Sequence, residues 1–97
     1  MGQAPVIWVT ARFRAQPGQA AALLPLLRDL AAHSRTEPGC VEYGYYQSDE
    51  DFTSIEVWDS PEAEHAHNNT DYLGEILKRI LPLLDGRPQV SRWSRIA

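Results

Sequence analysis

The sequence predicts an α+β fold of β-α-β-β-α-β order, the ferredoxin-like arrangement of a four-stranded antiparallel sheet with both helices on one face. Three observations predict it: segments with period-two alternation, two segments with apolar stripes at helical spacing, and breaker-rich junctions separating them in that order. The 97 residues amount to one domain, 1–97, able to bury roughly two thirds of the unfolded surface in a single two-layer core.

Val6 to Arg14 (VIWVTARFR) alternates, with Ile7, Val9, Ala11 and Phe13 on one side and Trp8, Thr10, Arg12 and Arg14 on the other, which predicts a strand. Gln16-Pro17-Gly18 breaks it. From Gln19 to Ser34, Leu23, Leu24, Leu27, Leu30 and Ala31 form the stripe of a helix packed on one side. Pro25 within that stretch either bends the first turns or moves the helix start to near Leu24. Glu37-Pro38-Gly39 stops the helix. Cys40 to Ser48 (CVEYGYYQS) and Phe52 to Asp59 (FTSIEVWD) then predict a hairpin around Asp49-Glu50-Asp51. Ser60-Pro61-Glu62 starts a second helical region, because Ser caps free amides and Pro is tolerated in the first turn. Asn68-Asn69-Thr70 interrupts it, and a continuation carries Leu73, Ile76, Leu77, Ile80 and Leu84 on one stripe. Pro82, Asp85-Gly86 and Pro88 end it, and Gln89 to Ile96 (QVSRWSRI) is the last strand.

Taking Ile7, Val9, Phe13, Ile55 and Val57 as the helix-side set puts Trp8, Tyr46, Phe52, Trp58 and Trp93 on the other sheet face, with Arg12, Glu42 and Glu56. A monomer would expose that surface, so the sequence predicts a homodimer in which two sheets pack face to face into a dimeric α/β-barrel, with cavities between sheet and helices. The net charge of −4, with 13 acidic and 9 unclustered basic residues, excludes an electrostatic nucleic-acid surface. No stretch is apolar enough for a membrane span. Met1-Gly2-Gln3-Ala4-Pro5 lacks the character of a signal peptide, and the single Cys40 offers neither an intramolecular disulfide nor a thiolate metal site, so a cytoplasmic protein is expected.

Ser34-Arg35-Thr36-Glu37-Pro38-Gly39-Cys40 followed by Tyr43, then Glu56-Val57-Trp58, then His67-Asn68-Asn69-Thr70, with Pro17-Gly18 after the first strand, resembles the antibiotic biosynthesis monooxygenase domain family from about Ile7 to Leu84. The resemblance implies a ferredoxin-like homodimer, many relatives of which oxidise phenolic or quinol-type aromatics with O2 and without flavin, metal or haem. Other members degrade haem or act on small phosphorylated compounds. The chain departs from the common pattern where many members carry a second His and a Phe, reading Asp71-Tyr72-Leu73 instead. It also lacks the first-strand Asn and second-helix His of the haem-degrading branch, so haem is disfavoured, and His67 has no second ligand at metal spacing.

Oxygenation without a cofactor requires an electron-rich anion as substrate, an aromatic-lined pocket, a base that titrates near neutrality and donors for the oxyanion. His67 is the candidate base, against the alternative that it braces the break before Thr70. His33 and His65 read as surface. Trp58 reads as a cavity wall or dimer contact rather than a redox participant. Glu56 is either a base with raised pKa or half of an ion pair with Arg12, which alternatively holds a substrate oxyanion. Tyr43, Tyr46 and Tyr72 are hydroxyl donors or packing residues. The resulting expectation is a cofactor-independent monooxygenase of a small aromatic quinol or phenol, with His67 as base and Trp58, Tyr43, Tyr72, Glu56 and Arg12 around the substrate. The alternatives are a dimeric small-molecule binding module, or an isomerase or lyase of a small polar metabolite.

Overall fold

The computed structural model describes residues 6–97. The reading of the N-terminus as lacking a signal peptide falls on residues 1–5, outside the described residues. The elements are β1 (Ile7–Arg14), α1 (Ala20–Ser34), β2 (Cys40–Ser48), β3 (Asp51–Trp58), α2 (Pro61–Asn68), α3 (Asp71–Ile80), a 3-10 turn (Leu81–Leu83) and β4 (Gln89–Trp93). The strands form one antiparallel sheet in the order β2-β3-β1-β4, the ferredoxin-like topology. The helices lie on one face, where Leu23, Leu27 and Leu30 of α1 and Ile76 and Ile80 of α3 pack on Val9, Tyr43, Phe52 and Trp58. Among the described residues no helix is long and apolar enough to cross a membrane.

Local chemistry sets the boundaries. Pro25 sits inside α1 on its exposed side, so the helix starts at Ala20 and tolerates the lost backbone bond where water can serve the freed carbonyl. Ser60 caps α2, its Oγ accepting from the Ala63 amide at 3.1 Å with Pro61 in the first turn. Thr70 caps α3 by accepting from the Leu73 amide and also donates to the His67 carbonyl at 3.1 Å, so one hydroxyl closes α2 and opens α3.

The β3 face assignment is corrected by the register. Val9 lies opposite Glu56 and Ile7 opposite Trp58, while Tyr43 also pairs with Glu56. The helix-facing side of β3 is therefore Phe52, Ser54, Glu56 and Trp58, and Ile55 and Val57 face away with Trp8. Trp58 is wholly buried rather than on the open face. Trp8, Tyr46 and Trp93 do lie on that face; Tyr46 and Trp93 are more than half exposed. β4 is exposed along its length, ends at Trp93 and leaves residues 94–97 outside the sheet.

Candidate functional site

A cavity of about 220 Å³ lies between the sheet and α1, α2 and α3. Its apolar walls include Val9, Leu27, Leu30, Leu73 and Ile80, and its polar groups come from Tyr43, Tyr45, Glu56, Glu64, His67 and Asn68. Tyr43 and Tyr45 arrive together because side chains two apart on β2 share a face, and Glu56 sits opposite Tyr43 in the register. His67 is brought in by the last turn of α2, held by the Thr70 cap at its carbonyl.

His67 is 4% exposed and its Nδ1 lies 2.7 Å from Glu37 Oε1. A carboxylate only accepts, so the neutral ring carries its proton on Nδ1 and leaves Nε2 with a free lone pair. Nε2 makes no hydrogen bond among the described residues. The other Glu37 oxygen is 3.6 Å from His33 Nε2, and the His33 ring stacks on Tyr72 with centroids 3.7 Å apart. Glu37 thus links a half-exposed imidazole to the buried one.

Glu56 accepts from Ser54 Oγ at 2.7 Å and from Trp58 Nε1 at 3.1 Å. Ser54 Oγ in turn accepts from the Ala11 amide at 2.8 Å where the β1–β3 ladder is open. Burial pushes the Glu56 carboxyl above the usual range, with the two neutral donors opposing the shift. The Tyr43 and Tyr45 hydroxyls lie 3.0 Å apart, and burial pushes both well above the ordinary phenol value. They stay protonated near neutrality, and once one donates to the other, one proton remains available to a ligand oxygen. Hydrogen bonds from Arg92 hold the Glu64 carboxyl below the usual range, and this pair ties α2 to β4 at the cavity's edge.

The structure brings His67, Tyr43 and Glu56 to one cavity. Trp58 stands behind them rather than lining it, with its ring centroid 4.6 Å from that of His67 and its Nε1 fixing Glu56. Arg12 does not belong to the site. It lies exposed on the opposite face between Thr53 and Gln89, so it neither pairs with Glu56 nor reaches the cavity. Tyr72 is likewise outside the cavity, occupied by its stack on His33. Sequence reasoning missed Glu37, Tyr45 and Ser54. Period-two spacing from Tyr43 would have found Tyr45, and Glu37 was visible as a motif position but read only as part of a helix stop. Among the described residues no group of three His, Cys, Asp or Glu side chains is placed to hold a metal ion.

Fold and site define a ferredoxin-like α+β protein with a buried histidine, backed by a part-buried glutamate, on a mostly apolar cavity. The chain belongs to the antibiotic biosynthesis monooxygenase family, whose sequence model matches residues 6–79. It is similar to the solved structure of PA3566 from Pseudomonas aeruginosa, at 30% identity and TM-score 0.88 with all of both chains covered. It is also similar to a candidate antibiotic biosynthesis monooxygenase from Caulobacter crescentus, at 27% identity and TM-score 0.89 over 98% of this chain and 93% of that one. A conserved protein from Methanosarcina mazei, 24% identical over 97% and 96% of the two chains, shares the fold at TM-score 0.90. The chain is 29% identical over 83 residues to the uncharacterised Synechocystis protein sll1783, covering 82% of this chain and 56% of that relative's length.

Proposed function

We propose that the protein is a cofactor-independent monooxygenase that uses O2 to oxidise a small aromatic quinol or phenol bound in the His67 cavity. The observation that carries the reading is buried His67, backed at 2.7 Å by the part-buried Glu37, on a cavity whose remaining polar groups include two protonated tyrosine hydroxyls. His67 Nε2 takes the phenolic proton, and Glu37 stabilises the imidazolium through Nδ1. The tyrosine pair donates to the oxyanion, and the apolar walls withhold the water that would otherwise stabilise it. The electron-rich ring passes one electron to O2, and the radical pair recombines to a carbon–oxygen bond. The hydroperoxide then loses water. A dihydroquinone plus O2 becomes a hydroxyquinone plus H2O, with one oxygen atom in each product and four electrons transferred in all.

The same reading includes a homodimer built on the outer sheet face, supported by a groove of about 470 Å³ lined by Trp8, Ile55 and Trp93. It also places the protein in a reducing, cytoplasmic setting, which would keep the single thiol, Cys40, in its free form.

Oxygen uptake by chelator-treated protein with a panel of dihydroquinones, corrected for autoxidation, tests the activity. Saturable uptake that falls by about 10²–10⁴ in His67→Ala, with ligand binding retained, is the expected result. Full turnover in His67→Ala would remove the base from the mechanism.

A further inference from the structure

We infer that the substrate or ligand of this site carries an anionic arm, and that a second groove on the helix face, lined by Arg28 and Arg35, receives it. The groove measures about 340 Å³ and lies at the β2 edge, where Leu24 and Leu27 of α1 face Tyr45 and Phe52 of the sheet. It adjoins the His67 cavity, because Leu27 and Tyr45 line both. The inference rests on the reading of that cavity as a phenol site.

The electrostatics are what single this groove out. In a chain of net charge −4, it has two guanidinium groups on its rim and no carboxylate among its lining residues. Arg28 and Arg35 are seven residues apart on α1 and its C-cap, two helical turns, so they lie on one side of the helix. Arg28 makes no hydrogen bond or ion pair among the described residues. Arg35 donates from Nε to the Tyr43 carbonyl at 2.9 Å, which holds its guanidinium beside β2, and its terminal nitrogens make no hydrogen bond among the described residues. Two uncompensated cations above an apolar floor suit a carboxylate or sulfonate on a short hydrocarbon arm, with the guanidinium fork matching the two oxygens of a carboxylate. Tyr45 stands at the boundary, so the ring of such a ligand meets the Tyr43–Tyr45 hydroxyls in one compartment while its arm lies in the other.

The test measures binding to the full chain by tryptophan fluorescence, using 2-naphthol, a series of naphthols with carboxylate-terminated alkyl arms of increasing length, and the methyl ester of each. At the best arm length the acid is expected to bind about tenfold tighter than its ester. That preference should shrink as ionic strength rises. Arg28→Gln, at an exposed position that makes no hydrogen bond or ion pair among the described residues, should lower the ratio about threefold, and the double change with Arg35→Gln should bring it to about one. His67→Ala should keep it. Equal affinity of acid and ester overturns the inference. Naphthol that binds and is consumed without a carboxylate preference overturns the inference and leaves the oxygenase reading standing. A carboxylate preference with no oxygen uptake keeps the groove and removes the oxygenase reading, and failure of all the compounds to bind removes both.

Discussion

Gly39 ends the α1–β2 connection where it passes against Asp59 and against Ala63 of α2, and replacing it with Ala should be costly in two separable ways. Its φ is +82°, a region L side chains rarely adopt, and a Cβ there would come 2.5 Å from Ala63 Cβ and 2.6 Å from Asp59 Oδ1. The left-handed backbone costs about 1–2 kcal/mol for a residue with a side chain. Forcing a methyl against Ala63 adds about 1–3 kcal/mol of overpacking. Gly18 supplies the control, since its φ is +78° but a Cβ there meets nothing within 4 Å. Gly18→Ala should therefore cost only the backbone part, about 1 kcal/mol after the smaller entropy of the unfolded chain is credited. Urea unfolding should show Gly39→Ala destabilised by about 2–4 kcal/mol with the same credit applied, a fall in Tm of roughly 10–25 °C for a domain of this size. Ala63→Gly in the same chain should recover about 1 kcal/mol of non-additivity by removing the closer contact. Gly39 follows Glu37 by two residues, so oxygen uptake should drop in Gly39→Ala even at temperatures where it remains folded. If Gly39→Ala costs no more than Gly18→Ala and shows no coupling to Ala63→Gly, the close passage of this loop against α2 is wrong.

Glu56→Gln should stabilise the protein at neutral pH. A carboxyl whose folded pKa is raised contributes stability present below its unfolded value near 4.5 and lost as pH rises through the folded value, so thermal melts of the variant and parent should converge near pH 4 and separate above it. The opposite sign holds for Glu64, whose lowered pKa contributes stability above its ordinary value that is lost on acidification. Arg92→Gln should cost about 1 kcal/mol or less at pH 7, because Arg92 is half exposed, and nothing in acid, where both chains hold a neutral Glu64. Glu37→Gln should lower turnover by about tenfold to a hundredfold with little change in ligand affinity, since the charged hydrogen bond to His67 is worth about 1.5–3 kcal/mol and strengthens when the ring is protonated. Light scattering should give a dimer at micromolar concentration, and an 11 kDa species would remove the sheet-to-sheet contact.

The element order was legible because turn chemistry and hydrophobic period agree along the whole chain: Ser60-Pro61, Thr70 and Pro38-Gly39 each fall at a junction. The phase of β3 was not. Assigning the aliphatic Ile55 and Val57 to the core is sound for a sheet with one wet face, but here the inner positions carry Ser54, Glu56 and Trp58, which form and support the cavity. Binary patterning fails where function replaces core residues with polar ones. The same error paired Arg12 with Glu56, two residues on opposite faces. Glu37 was hidden for a different reason: its partner lies 30 positions away, and no local pattern reports a contact made across a loop and a helix.

The inverted polarity of β3 links the cavity to the proposed dimer. A sheet that buries a carboxylate and a serine on its inner side has given up some of the apolar packing that a small domain relies on. Its outer side compensates: Val57 is 4% exposed in the isolated chain, Trp8 and Trp93 pair across β1 and β4, and Trp93 is still 57% exposed. In a protein that functions as a monomer the outer residues would be polar, as on any antiparallel sheet with one wet face. In the proposed dimer a second sheet would cover these aliphatic and aromatic residues and offset the cost of the polar site behind. Trp93→Ser, which removes an indole from the outer face at a position that does not line the cavity, should therefore raise the dimer dissociation constant; if it instead leaves the dimer intact while oxygen uptake is lost, the outer face is serving the site directly and not the association.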